Sequence, residues 1–121
     1  MLVITRTASD AIINDLNNVA SVGLGYNGTE ISGGGYSRVS VGSGLFSYDH
    51  DDGTYYYYTN SSAITFPTAT GNWGYVNEIY FINSNGTIVY TFVLDSPISI
   101  INGITFSINK GGLALKVKKS G

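Results

Sequence analysis

Tyr75-Val76-Asn77-Glu78-Ile79-Tyr80-Phe81-Ile82-Asn83-Ser84-Asn85-Gly86-Thr87-Ile88-Val89-Tyr90-Thr91-Phe92-Val93-Leu94 is the stretch that decides the fold. Two apolar runs, residues 75–82 and 87–94, flank Asn85-Gly86. A type I′ turn needs positive φ at both central residues, and Asn-Gly adopts it at least cost, so the stretch predicts a β-hairpin with a two-residue or slightly longer turn. On the second strand Ile88, Tyr90, Phe92 and Leu94 take one face, and Val89 and Val93 share the other with Thr91. A sandwich strand needs only one buried face. An apolar second face therefore predicts a cover, either a helix or another subunit.

Working outward, the period of two continues in both directions. Residues 63–66 read as a strand stopped by Pro67. Residues 36–41 read as another, with Val39 and Val41 on one face, entered from the loop Gly33-Gly34-Gly35. Val22, Leu24 and Tyr26 alternate with Ser21, Gly23 and Gly25 before a turn at Asn27-Gly28. Beyond the hairpin, Ile104, Phe106 and Ile108 alternate with Thr105 and Ser107. Asn109-Lys110-Gly111-Gly112 turns the chain, and Leu113, Leu115 and Val117 are expected to return against that strand. About eight short strands with frequent turns predict an all-β fold, an antiparallel β-sandwich or jelly-roll-like barrel.

The N-terminal region reads differently. Residues 1–7, with the apolar run Leu2-Val3-Ile4, suit an arm on a neighbour or an edge strand. Thr7 or Ser9 caps a predicted helix through about Asn18, with Asp10 in its first turn and Ile12, Ile13 and Leu16 on one face. Residues 8–121 are then one domain containing that short helix. The expected core includes Ile12, Leu16, Phe66, Trp73, Phe81, Phe92 and Phe106.

The chain has 121 residues, enough to bury a core as a single domain. It has no cysteine, so disulfides and thiolate metal sites are excluded. Charged residues are 12% of the chain against a usual quarter, and the net charge is −2. That balance favours neither nucleic acid nor an anionic membrane as partner. The opening MLVITRTASD lacks the form of a secretory signal. Residues 88–108, the most apolar stretch, are interrupted by Asp95, Pro97, Asn102 and Gly103, so no membrane span is expected.

Little in the sequence suggests catalysis. His50, the one histidine, lies in Tyr48-Asp49-His50-Asp51-Asp52-Gly53, expected to be a polar turn. No nucleophile elbow or triad pattern accompanies it, and the triglycine precedes a strand rather than a helix, so it cannot put a phosphate at a helix N-terminus. Asp49, Asp51 and Asp52 have oxygen ligands for calcium, but the EF-hand spacing fails, and a solvated turn is expected instead. The expectation is no enzyme activity, no cofactor and no metal. Contact chemistry is better represented. In Tyr55-Tyr56-Tyr57-Tyr58, Tyr55 and Tyr57 share one strand face and Tyr56 and Tyr58 the other, and tyrosine offers rigid area with a polar tip. Leu2, Val3, Ile4, Tyr55, Tyr56, Tyr57, Tyr58, Val89 and Val93 are the interface candidates. Asn-x-Ser/Thr triplets at Asn27, Asn60 and Asn85 are read as turns, and Lys116, Lys118 and Lys119 as a solvated edge or a dock for an acidic surface.

Three segments together resemble a family of small phage structural proteins usually labelled tail fibre proteins. They are Gly28-Thr29-Glu30-Ile31-Ser32-Gly33-Gly34-Gly35-Tyr36-Ser37-Arg38-Val39, Ile64-Thr65-Phe66-Pro67-Thr68-Ala69-Thr70-Gly71-Asn72-Trp73-Gly74, and Asn102-Gly103-Ile104-Thr105-Phe106. Residues 42–59 and the lysine-rich end depart from that pattern. The resemblance implies a non-enzymatic virion component and brings no catalytic residues. One domain of this length has no room for an attachment part, a shaft and a tip. The expectation is therefore capsid decoration: a cement protein that docks on the major capsid protein as a homo-oligomer, a trimer favoured. A small tail fibre, tail-tip or collar component bound to tail proteins is the alternative. A carbohydrate-binding sandwich using Tyr55 to Tyr58 and Trp73 is the third reading.

Overall fold

The fold is seen in a computed structural model, which describes residues 4–8, 18–42 and 44–118. Eleven strands run through the described residues: β1 (Ile4–Ala8), β2 (Val19–Tyr26), β3 (Thr29–Glu30), β4 (Val39–Ser40), β5 (Phe46–Asp51), β6 (Tyr55–Asn60), β7 (Ile64–Thr65), β8 (Gly74–Asn83), β9 (Ile88–Ile100), β10 (Ser107–Ile108) and β11 (Leu113–Lys118). A four-stranded sheet has the order β1-β11-β6-β5. A five-stranded sheet has the order β3-β2-β8-β9, with β4 also on β2, and β7 pairs with β10. The fold is all-β and antiparallel, except that β1 lies parallel to β11.

One core joins the sheets. Leu113, Leu115 and Phe46 enter it from the four-stranded sheet, Val22, Leu24, Ile79, Phe81 and Phe92 from the five-stranded one, and Ile64 and Ile108 from the small pair. Phe46 meets Phe81 across the layers at 5.4 Å. The expected core residues Phe66, Trp73, Phe81, Phe92 and Phe106 are all buried. Ile12 and Leu16 lie outside the described residues, as does nearly all of the predicted helix. Thr7 and Ala8 belong to β1, so Thr7 is not a helix cap.

The decisive hairpin forms as β8 and β9, but its turn is longer than Asn85-Gly86. The Gly86 N–H donates to the Asn83 carbonyl at 3.0 Å, and the Asn83 N–H to the Thr87 carbonyl at 2.9 Å. The Asn83 side-chain oxygen accepts from the Asn85 and Thr87 amides, each at 3.0 Å. Only Gly86, at φ +83°, is left-handed. This is a type I turn closed by a left-handed glycine, not a type I′ turn. The type I′ geometry belongs to Asn27-Gly28, with φ 49° and 88°, where Tyr26 faces Thr29 across a two-residue loop.

Strand β9 breaks the alternation expected of it. Phe81 faces Tyr90 and Ile82 faces Ile88, so Val89 has no partner and is the bulged residue. Val89 therefore packs toward the core, while Ile88 joins Thr91 and Val93 on the outer face. Between Val93 and Ile98 the strand bulges again, and Pro97 is tolerated because β9 is an edge.

Two further expectations are corrected. Residues 113–117 do not return against residues 104–108: β11 crosses to the four-stranded sheet, between β1 and β6. Asn60 makes that crossing possible. Its side chain is buried, donates to the carbonyls of Ser62 and Asn109, and accepts from the Leu113 amide at 2.9 Å. Asn60 thus closes β6 as a buried bracket and is not a turn residue. Residues 36–41 contribute only β4. Tyr36 instead plugs the gap between β3 and β4, its hydroxyl accepting from the Leu24 N–H at 2.9 Å and donating to Glu30 at 2.7 Å. Arg38 grips the same carboxylate with Nε at 2.9 Å and a terminal nitrogen at 2.8 Å. That grip lowers the Glu30 pKa, and burial raises that of the Tyr36 phenol.

Candidate interaction surface

The β5–β6 hairpin carries the tyrosine run. Its turn is tighter than the sequence suggested, because Asp49, His50 and Asp51 are strand residues and only residues 52–54 turn. The Asp52 carboxylate builds that turn. It accepts from the amides of Tyr55 at 2.8 Å and Thr54 at 2.9 Å, and from the Tyr57 hydroxyl at 2.9 Å. These donors, the Tyr55 amide first, hold the Asp52 pKa down to about 2. Asp49 sits at a bulge between the pairs Tyr48–Tyr58 and His50–Tyr57. Its carboxylate meets the His50 ring at 2.6 Å. Asp49 and Asp52 are thereby engaged within the protein. Among the described residues no three acidic, histidine or cysteine side chains cluster as metal ligands.

The alternation of β6 sorts the tyrosines onto two faces. Tyr58 is in register with Tyr48 of β5 and with Leu115 of β11, on the face that continues into the core, and Tyr56 lies two residues along β6 on that same face. Tyr58 packs against the core. Toward the hairpin tip the core runs out, leaving Tyr48 56% and Tyr56 38% exposed. The Tyr48 ring stands edge-on to Tyr58 at 6.1 Å and to Tyr56 at 6.3 Å. On the other face His50 stacks flat on Tyr57 at 4.5 Å, and the Lys116 ammonium sits 4.6 Å above the Tyr55 ring. Each of those tyrosines offers a ring face already occupied by a neighbour.

Among the described residues, none of the remaining interface candidates belongs to this hairpin. Leu2 and Val3 lie outside the described residues. Ile4 begins β1 in register with Leu113, so this part of the predicted arm is an edge strand of the chain's own sheet. Val89 is half-buried against the core, and Val93, 51% exposed, faces outward from the five-stranded sheet, across the core from Tyr55 and Tyr57. Trp73, the other proposed sugar platform, is buried and its indole donates to the Gly34 carbonyl. Tyr48 and His50 complete the surface, and the sequence reading missed their part in it. Their signal was the continuation of the alternation of β6 onto the facing strand, hidden by the bulge at Asp49.

The two segments richest in glycine, proline and tryptophan meet in space. The Thr70 amide also donates to the Gly34 carbonyl, at 2.9 Å, and Tyr36 stands edge-on to Trp73 at 5.3 Å. A Cβ on Gly34 would come within 2.9 Å of the indole, and one on Gly35 within 2.7 Å of the Thr70 hydroxyl. These residues hold the two loops together. A scan of family models matches residues 15–116 to the family described as Podophage GP4 fiber I protein gp80. The chain belongs to this family. It is a phage virion structural protein of the fibre type. No curated protein and no solved structure gives a match. The family match takes in both glycine-rich and tryptophan segments and the tyrosine hairpin, and stops short of β1.

Proposed function

We propose that this protein is a non-enzymatic subunit of the phage tail that works by contact, with the β5–β6 hairpin as its docking face toward neighbouring tail proteins. The family match carries this reading: its description is that of a fibre protein, which favours the tail over the capsid decoration expected from the chain alone. The surface supports it. Tyr48 and Tyr56 are large, stiff side chains left exposed on a face that elsewhere lines the core. The single histidine is taken up by Asp49 and Tyr57. Association with further copies of the chain, as a trimer or another closed ring, would suit the same face.

Counting copies per purified particle tests the location. A tail component is present in few copies and its loss abolishes adsorption. On the order of hundreds of copies would instead restore the decoration reading, because a capsid lattice repeats its docking site many times.

A further inference from the structure

Outside the hairpin, one corner of the five-stranded sheet exposes two more tyrosines. Tyr26 ends β2 and Tyr75 lies at the start of β8, with rings 6.2 Å apart and tilted by 37°. They are 38% and 57% exposed. Beside them the Asn27 amide N–H donates to the Asn77 side-chain oxygen at 3.1 Å, and the Asn77 side-chain nitrogen donates to the Asn27 side-chain oxygen at 2.9 Å. The Gly28 amide is held by Glu78 at 2.6 Å.

We propose that Tyr26, Tyr75, Asn27 and Asn77 form a binding site for a neutral saccharide of the host-cell surface. A sugar ring offers an apolar C–H face and a rim of hydroxyls. Two exposed phenol rings, 6.2 Å apart, offer apolar area for the C–H face, whereas Lys116 and His50 each cover a ring face of Tyr55 and Tyr57. The reciprocal amide pair fixes both asparagines, and the Asn27 side-chain nitrogen keeps its two hydrogens unassigned among the described residues. A donor held in place by the type I′ turn loses little entropy on binding. The four side chains are uncharged, which suits hydroxyls rather than carboxylates or phosphates, and the chain's net charge of −2 also disfavours an anionic polymer. The proposal relies on the fibre reading only for where the saccharide is met; binding itself is a property of the isolated protein.

The purified full-length chain is applied to an array of neutral and charged saccharides, and any neutral polysaccharide found is cast into native gels for affinity electrophoresis. The expected result is retention by a neutral saccharide, weakened about tenfold in Tyr75→Ala with an unchanged melting temperature, and retained in Tyr75→Phe. Tyr26→Ala should behave as Tyr75→Ala; if it fails to fold, the more exposed Tyr75 still decides. No signal on neutral saccharides, signal on charged ones alone, or retention indifferent to Tyr75→Ala overturns the proposal. Tyr75-dependent binding to a phage protein without saccharide binding would also overturn it and assign the corner to a protein contact. Failure of the fibre reading shows separately, in copies per particle.

Discussion

The indole N–H of Trp73 donates to the Gly34 carbonyl at 2.8 Å, joining two loops 39 residues apart in sequence. The Thr70 amide shares that carbonyl, so removing the indole does not orphan it. Trp73→Phe should therefore cost about 1 kcal/mol, the net value of one hydrogen bond. Trp73→Ala should cost roughly 3–5 kcal/mol, because it also opens a cavity beside Tyr36. Denaturant unfolding measures both. Equal costs for the two variants would show that the ring contributes no packing.

Two Asn-Gly turns of identical sequence should respond differently to substitution. Asn27 is left-handed at φ 49°, a conformation alanine adopts at a cost of roughly 1–2 kcal/mol. Asn85 is not left-handed, so Asn85→Ala should change stability by less than about 0.5 kcal/mol. Gly86→Val, at φ +83°, should cost about 1–3 kcal/mol. Thermal melts of the three variants check the order. A larger loss in Asn85→Ala than in Asn27→Ala would place the type I′ turn at the wrong loop.

That contrast also shows what the sequence could reveal. Strand alternation located β2, β6, β8, β9 and β11 and the aromatic core, because a half-buried strand must alternate, but β5 lay hidden in the expected polar turn. It missed the bulges at Val89 and Asp49, where one extra residue reverses the faces that follow. It also missed the crossing of β11 to the other sheet, which depends on buried Asn60 joining residues 53 positions apart. Tyr36 looked like a strand residue since its role, a hydroxyl standing in for a ladder bond, leaves no periodic trace. The candidate surface was visible in the tyrosine run, but which tyrosines stay exposed depends on where the core ends.

Asp52 gives the β5–β6 hairpin a dependence on acid. Its pKa is held to about 2 by the Tyr55 and Thr54 amides and the Tyr57 hydroxyl, against about 3.9 in an unfolded chain. A carboxylate with a depressed folded pKa stabilises fully above its unfolded pKa, and the benefit fades as pH falls through the folded value. Asp52→Asn should thus melt below wild type at neutral pH, with the gap closing between about pH 4 and pH 2. A gap of constant size across that window would mean that the charged form contributes nothing.

The exposed end of the core-facing tyrosine ladder should matter for assembly rather than for folding. Tyr48 and Tyr56 are exposed, while Tyr58 on the same face already packs on the core. Replacing both with serine should leave far-UV spectra unchanged and stability within about 1 kcal/mol. An interface tyrosine at a hot spot carries about 2 kcal/mol or more, so the same double variant should be depleted from assembled particles. The control is His50→Ala with Lys116→Ala on the opposite face, which should incorporate normally. Quantitative mass spectrometry of purified particles compares them. Depletion of the control but not of the tyrosine variant would move the contact to the Tyr55–Tyr57 face. Normal incorporation of both would remove the hairpin from the interface.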